Sequence, residues 1–259
     1  MGLHPAASGF LDRDGARPGG NITSPAIAAI DARRLSEIQK RLKTTGRTQI
    51  ADFLVGSVAE SIYQDAVAET YNVVSRRGTG HMDMPQQWLD MLTPEQKQGL
   101  AQAIQQSATD DFQYLYDNYP LFDAVANGTA PARWKAVHDF LNGAEFIGLM
   151  RQVTGEDGIE MADCQLTRFR RGHFLTEHDD GMPEKKRYYA YVLNLTPRWR
   201  IDWGGLLAFH GKDGNVEEAF TPRFNTLNLL KVPCPHSVTQ VALSAGGERI
   251  SITGWLRGR

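Results

Sequence analysis

The pattern of hydrophobic and polar positions changes character near Gly158. Upstream, apolar residues recur at helical spacing. Ser24-Pro25 can open a first helix running through Asp31 to Lys40. Gln49-Ile-Ala-Asp-Phe-Leu54 then leads into a helix over Val55–Tyr63, for which Ser57 is a plausible N-cap. Tyr71–Ser75 reads as a short strand. Thr93-Pro94-Glu95-Gln96 combines an N-cap threonine, a proline at the first helical position and a capping-box glutamine, and predicts a helix reaching to about Tyr116. Two more helical stretches follow, from Trp134 to Gly143 and from Ala144 to Gly155. Downstream of Gly158 the apolar runs shorten and turn residues separate them. Strands are expected over Met161–Arg170, Arg187–Leu195, Leu206–His210, Phe224–Val232, Ser237–Leu243 and Arg249–Leu256. The turns between them carry Asp179-Asp180-Gly181, Gly204-Gly205, Lys212-Asp213-Gly214 and Ala245-Gly246-Gly247.

This pattern predicts an α+β chain. Residues 24–259 are expected to form a single domain, with residues 24–157 a mainly helical support and residues 158–259 a β-sandwich core of the jelly-roll or cupin-like class. Residues 1–23, rich in Gly, Ala and Pro without periodicity, read as a flexible leader.

Composition narrows the partners. With 259 residues, 41% hydrophobic and 22% charged, the chain can bury a substantial core. A net charge of −2 gives no reason to expect electrostatic capture of nucleic acid or an anionic membrane. The arginines at 168, 170 and 171 are most simply a solvated strand face. The two cysteines, Cys164 and Cys234, lack a C-x-x-C neighbour, which argues against a disulfide framework or structural zinc and fits a reducing cytoplasm. No segment has the apolar length of a signal peptide or a membrane span.

The chemistry concentrates around Thr167–Asp180. His178 and Asp180 form a His-x-Asp pair just past an expected strand, and i and i+2 on an extended chain project to one side. His236, in Val232-Pro-Cys-Pro-His-Ser-Val238, is the best third ligand. Two histidines and one carboxylate on one face of a metal, with the other face open, define the facial triad of non-haem Fe(II) oxygenases. A chelating 2-oxoacid and O2 fill such an open face, and the far carboxylate of the 2-oxoacid needs a cation. On the last strand Arg249, Ser251, Thr253 and Trp255 share a face, with Ile250 and Ile252 opposite. Arg249 suits a carboxylate, with the Ser251 hydroxyl beside it. Each residue alone has an ordinary use: Asp179 and Asp180 as turn residues, His178 and His236 as capping or loop histidines, Arg249 as a cross-sheet ion-pair partner. Their joint occurrence, in order and on the expected elements, is what points to a site. His173 has the wrong parity and reads as structural or substrate-side; Trp199 and Trp203 read as core or pocket-wall aromatics. There is no HExxH and no phosphate-binding glycine loop.

From about residue 140 onward the chain resembles the Fe(II)/2-oxoglutarate oxygenases of the prolyl-hydroxylase type, and more narrowly the ribosomal prolyl hydroxylases and their bacterial relatives. The resemblance rests on Phe140-Leu141, Val153-Thr154-Gly155, Arg168-Phe169, Phe174-Leu175, His178-Asp179-Asp180, Pro197-Arg198-Trp199, Gly204-Gly205-Leu206, Pro235-His236 through Val241 and Arg249 through Trp255. It implies Fe(II) held by His178, Asp180 and His236, 2-oxoglutarate and O2 as cosubstrates, and Arg249 with Ser251 on the 2-oxoglutarate tail. Asn194 stands where relatives often have a cosubstrate-binding tyrosine and is expected to hydrogen-bond the 2-oxoglutarate carboxylate through its amide; Phe169 stands where some have another tyrosine. The resemblance further implies a dioxygenase acting on a prolyl residue of a protein, with a ribosome-associated target as one option, although the eukaryotic ribosomal enzymes resemble two β-domains in tandem. A free amino acid or small metabolite is the alternative substrate. A cupin-like module that binds metal without turnover is the alternative of another class.

Overall fold

The computed structural model describes residues 25–259. The expected leader, residues 1–23, and Ser24 lie outside the described residues. Seven α-helices are present among the described residues: α1 (Ala32–Thr45), α2 (Gly56–Val67), α3 (Gln86–Asp90), α4 (Pro94–Ser107), α5 (Leu121–Ala126), α6 (Ala132–Leu141) and α7 (Ala144–Thr154). Thirteen strands accompany them: β1 (Arg47–Ile50), β2 (Asn72–Arg77), β3 (Gly80–Met84), β4 (Tyr114–Tyr119), β5 (Met161–Ala162), β6 (Gln165–Phe169), β7 (Phe174–His178), β8 (Arg187–Asn194), β9 (Leu207–His210), β10 (Val216–Phe220), β11 (Thr226–Lys231), β12 (His236–Val238) and β13 (Arg249–Arg257).

All the strand pairs are antiparallel and belong to one sheet, whose main path runs β1-β11-β8-β13-β6-β4-β7-β12-β9-β10. The sheet curls until its end strands meet through side chains: Arg47 of β1 donates to Glu218 (2.8 Å) and Glu217 (3.0 Å) of β10. The guanidinium of Arg47 also lies 4.5 Å from the Phe209 ring centroid. The curled, half-barrel sheet with supporting helices is the jelly-roll architecture expected from the strand spacing.

Strand alternation separates two cores. On β8 and β13, Tyr191, Leu193, Ile250, Ile252 and Leu256 face outward into the large core they share with Ile38 and Leu42 of α1, Val58 and Ile62 of α2, Trp134 of α6 and Phe146 and Met150 of α7. Ala190 and Val192 face inward, with Leu207, Phe209, Phe220, Leu230 and Val232, into the interior of the curl. The helices are therefore a buttress on one face of the sheet, and the other face encloses a cavity.

Several boundaries depart from the sequence reading. The first helix is capped by Asp31, whose carboxylate accepts from the Arg34 amide, and residues 25–30, expected to be helical, lie before it. Val55, not Ser57, holds the N-cap position of α2. The capping box of Thr93 and Gln96 is present, but α4 stops at Ser107, and Tyr114–Tyr119, expected to end a helix, is strand β4. Beyond Val238 the expected Ser237–Leu243 strand gives way to turns. The helical half also contributes β1, β2, β3 and β4 to the sheet, with β4 inserted between β6 and β7. A division into a helical support and a separate jelly roll is therefore too sharp, because residues before Gly158 build part of the sheet.

The Arg168 and Arg170 side chains are not a solvated face. Both bond the buried carboxylate of Asp117 on β4, Arg168 at 2.7 Å and Arg170 at 2.9 Å. His173 stands 4.0 Å from the same carboxylate, and burial pushes its imidazole down to about 4, which makes it a structural, neutral histidine.

Gly254 on β13 is required by close approach. A Cβ there would lie 1.9 Å from the backbone oxygen of Asp163. Gly254→Ala should cost about 3 kcal/mol, since backbone cannot yield as a side chain can, and should lower the thermal midpoint by about 6–12 °C. Thermal unfolding followed by circular dichroism checks this, and an unchanged midpoint would contradict the packing described.

Candidate metal centre and active site

Three of the expected site residues converge inside the curl. His178 ends β7, His236 begins β12, and the two are direct partners in the antiparallel register. Their ring centroids are 4.1 Å apart. Asp180 reaches both: Oδ1 is 3.5 Å from His178 Nε2 and Oδ2 is 3.6 Å from His236 Nε2. One ligand atom from each residue lies within 4.8 Å of the others. The expected route to this geometry needs one correction. Asp180 is beyond β7 and has φ of 60°, so a left-handed turn, and not strand alternation, swings its carboxylate back over His178. Aspartate is among the few residues that adopt this conformation readily.

The backbone fixes both imidazoles for metal ligation. His178 Nδ1 lies 3.0 Å from the Thr176 carbonyl oxygen, and His236 Nδ1 lies 2.7 Å from that of Cys234. A ring nitrogen that donates to a carbonyl leaves the Nε2 lone pair of the neutral tautomer free for a metal. Burial, and then the neighbouring His178, push the His236 imidazole below its ordinary range, which favours the neutral form that ligates.

The three residues line a cavity of about 560 Å³. At its buried end sits Arg249, 2% exposed. Its guanidinium donates to the Gly205 carbonyl oxygen (3.1 Å) and lies 5.1 Å from the Phe169 ring centroid. Among the described residues no carboxylate pairs with it, and its Nε has no partner. Burial alone pushes the guanidinium down to about 10. A buried, uncompensated arginine opening onto a cavity fits an anionic ligand. The donor set therefore suits both groups that the sequence implied: a divalent metal at His178, Asp180 and His236, and a carboxylate at Arg249.

Ser251 and Asn194 do not join them. Neither contributes to the cavity wall; the Ser251 hydroxyl faces the Asn194 amide oxygen at 3.5 Å, and the Asn194 amide nitrogen donates to the Thr226 carbonyl oxygen at 3.1 Å. Trp199 and Trp203 pack edge-to-face against each other and sit outside the cavity wall.

Sequence reasoning missed the outer half of the cavity. Trp255 shares the inward face of β13 with Arg249, and the Arg187 guanidinium lies 3.5 Å from its ring centroid. Arg187 also donates to the Asp180 carbonyl oxygen at 3.3 Å. Among the described residues, buried Arg187 Nε and Trp255 Nε1 both lack partners. The stack thus sets an aromatic plate and a cation beside Asp180. The parity of Trp255 was the available signal; Arg187, alone at a strand start, gave none. Tyr114 of β4, Phe112 and His81 complete this wall, and Tyr116 lines the cavity beside Phe169.

Residues 164–257 match the family model of the 2OG-Fe(II) oxygenase superfamily, where 2OG is 2-oxoglutarate. This strand-rich segment carries every residue of the metal and arginine sites. Among curated proteins, prolyl 3-hydroxylase OGFOD1 of Xenopus laevis is 30% identical over 121 residues, covering 44% of this chain and 23% of that protein. The Mus musculus protein is also 30% identical over 121 residues, covering 44% and 22%. The chain thus matches about a quarter of the length of these relatives. Among solved structures, a Pseudomonas putida prolyl-4-hydroxylase aligns with a TM-score of 0.55 at 21% identity, covering 87% of this chain and 99% of that one. A Trichoplax adhaerens prolyl hydroxylase in complex with a hypoxia inducible factor peptide fragment aligns at 0.56 and 17% identity, covering 87% and 89%. These last two likenesses are of fold.

Proposed function

We propose that this chain is an Fe(II)- and 2-oxoglutarate-dependent dioxygenase that hydroxylates a prolyl residue in a polypeptide. The observation that carries the reading is that His178, Asp180 and His236 line the same cavity as Arg249, which has no carboxylate partner among the described residues. Fe(II), 2-oxoglutarate and O2 together supply an oxidant for C–H hydroxylation, with release of succinate and CO2. The protein's share is binding and orientation. His178, Asp180 and His236 would hold the metal, and Arg249 would hold the far carboxylate of the cosubstrate. The apolar wall of Phe169, Leu175, Val192, Leu207 and Val238 excludes water. Arg187 and Trp255 frame the outer half of the cavity, where the group to be hydroxylated would sit.

The shape of the cavity favours a polypeptide over a free amino acid. Gln165, Lys185, Arg187, Thr253, Gly254 and Trp255 also line a second cavity of about 280 Å³, which continues past Pro120, Phe122 and Arg257. A second cavity that shares a wall with the metal cavity offers room for residues flanking the target in a chain. The prolyl hydroxylases among the relatives supply the choice of proline. No feature of the cavity selects a ribosomal protein over another polypeptide. Among the described residues no helix is long and apolar enough to cross a membrane.

The test is succinate formation from 2-oxoglutarate by protein loaded anaerobically with Fe(II) and then exposed to O2. Proline-containing peptides and free proline are supplied in parallel. O2-dependent succinate, with gain of one oxygen atom by a peptide and not by free proline, is the expected result. Oxygen gained only by free proline would establish the small-molecule reading. Absence of both turnover and 2-oxoglutarate binding would replace the enzyme with a metal-binding module.

A further inference from the structure

We propose that Tyr116, on β4 and outside the matched superfamily segment, is a cosubstrate-contacting residue whose phenol donates a hydrogen bond to 2-oxoglutarate held between the metal and Arg249. The inference rests on the oxygenase reading above.

The first argument is charge and donor accounting. A divalent metal, the Asp180 carboxylate and the Arg249 guanidinium sum to two positive charges, which match the two carboxylates of the ligand. Charge is thus balanced, but hydrogen-bond donors are short. The planar guanidinium serves one carboxylate, and the two side chains expected to help are engaged elsewhere: Asn194 with the Thr226 carbonyl, Ser251 with Asn194. The ligand's oxygens would then lie buried with too few partners, a costly arrangement. A neutral donor on the cavity wall is what the site requires.

The second argument is position. The β6–β13 register sets Phe169 opposite Arg249, Thr167 opposite Ser251 and Gln165 opposite Thr253. On the other side of β6, Asp117 pairs with Arg168 and Asn118 with Thr167, so Tyr116 falls beside Phe169, level with the arginine. The Tyr116 and Phe169 rings stack at 5.1 Å and 15°. Arg249 contacts that same Phe169 ring, so arginine, phenylalanine and tyrosine form one continuous wall. From this anchorage the phenol faces the Gln165 side chain and comes within electrostatic reach of Asp180. It shares the wall of one cavity with Arg249, His178, Asp180 and His236. The Gln165 amide is itself tied to the Thr253 hydroxyl at 3.3 Å, which restrains the phenol from that side.

The third argument is the state of the group. One flank of Tyr116 borders the cavity, and protein encloses the rest. Burial pushes its phenol well above the usual range, so it remains a neutral O–H donor. A ring locked by stacking and a hydroxyl without charge give orientation without disturbing the charge balance.

The experiment measures 2-oxoglutarate binding to Mn(II)-loaded protein by isothermal titration calorimetry, comparing the natural chain with Tyr116→Phe. Phenylalanine keeps the stacked ring, and Mn(II) affinity is measured on the same samples. The expected result is a roughly tenfold weaker 2-oxoglutarate Kd, the loss typical of one hydrogen bond to a charged acceptor, at unchanged Mn(II) affinity. A Kd within twofold of the natural chain overturns the proposal. So does a parallel loss of Mn(II) affinity, which would give the phenol a role in shaping the metal site instead. If the natural chain binds Mn(II) but no 2-oxoglutarate, the oxygenase reading fails, and the proposal fails with it.

Discussion

Asp180→Ala should abolish metal binding, and with it all turnover. In the geometry described, the carboxylate is the only anion among the three candidate ligands, and each of its oxygens faces one imidazole, at 3.5 and 3.6 Å. Two neutral imidazoles remain in the variant, and a methyl group cannot replace an anionic ligand of a divalent cation. Loss of a mere partner to a metal ligand already costs on the order of 10–100-fold in affinity, so loss of the ligand itself should exceed that. Alanine at a φ of 60° adds about 1–2 kcal/mol of backbone strain. Asp180→Asn separates the two effects, because asparagine tolerates that conformation and keeps the shape without the charge. Calorimetric titration with Mn(II) reads the result, with circular dichroism confirming the fold. Wild-type affinity in both variants would remove the triad assignment.

Arg249→Ala should weaken 2-oxoglutarate binding while leaving metal binding intact. The guanidinium is buried, without a carboxylate partner among the described residues, and its surroundings already push it down to about 10. Such a group gains most from an incoming anion. Removing one partner of a buried charge pair costs about 2–5 kcal/mol, which corresponds to a Kd roughly 30-fold weaker or more. Competition between the charged ligand and an uncharged ester of it would sharpen the reading: the natural chain should prefer the acid strongly, and the variant should not. An unchanged Kd would place the ligand's tail elsewhere in the cavity.

The metal and arginine sites could be read from the chain because each rests on a residue type that has few cheap uses where it occurs. An arginine alternating with apolar residues on a strand, and histidines flanking tight turns, stand out against a core pattern. The route of Asp180 was hidden, since a left-handed turn after a strand leaves no periodic trace. Tyr116 was hidden for a different reason. Strand β4 reads Tyr-Leu-Tyr-Asp-Asn-Tyr, with Tyr116 facing the cavity and Asp117 held by two arginines about 50 residues away, so it shows no apolar–polar alternation. Edge strands β3 and β10 are mostly exposed, and β1 owes its polar start to a clasp with β10 some 170 residues distant. Strands whose polar residues are satisfied by remote partners cannot be recognised from local pattern. Helices α4, α6 and α7, whose signals are local, were legible to within a turn at their starts.

The position of β4 between β6 and β7 also bears on how the chain acquires its shape. β6 and β7 are separated by only four residues, yet along the sheet's main path they are joined through a strand made some 45 residues earlier. The same holds at the far edge, where β1 waits for β11, about 180 residues downstream. During synthesis β4 can pair with β2 at once but waits for β6 and β7, and β1 waits for β11, so closure is governed by contacts of long sequence separation and should be slow. The N-terminal helices, which can form locally, would meanwhile shelter apolar surface that the late strands eventually cover.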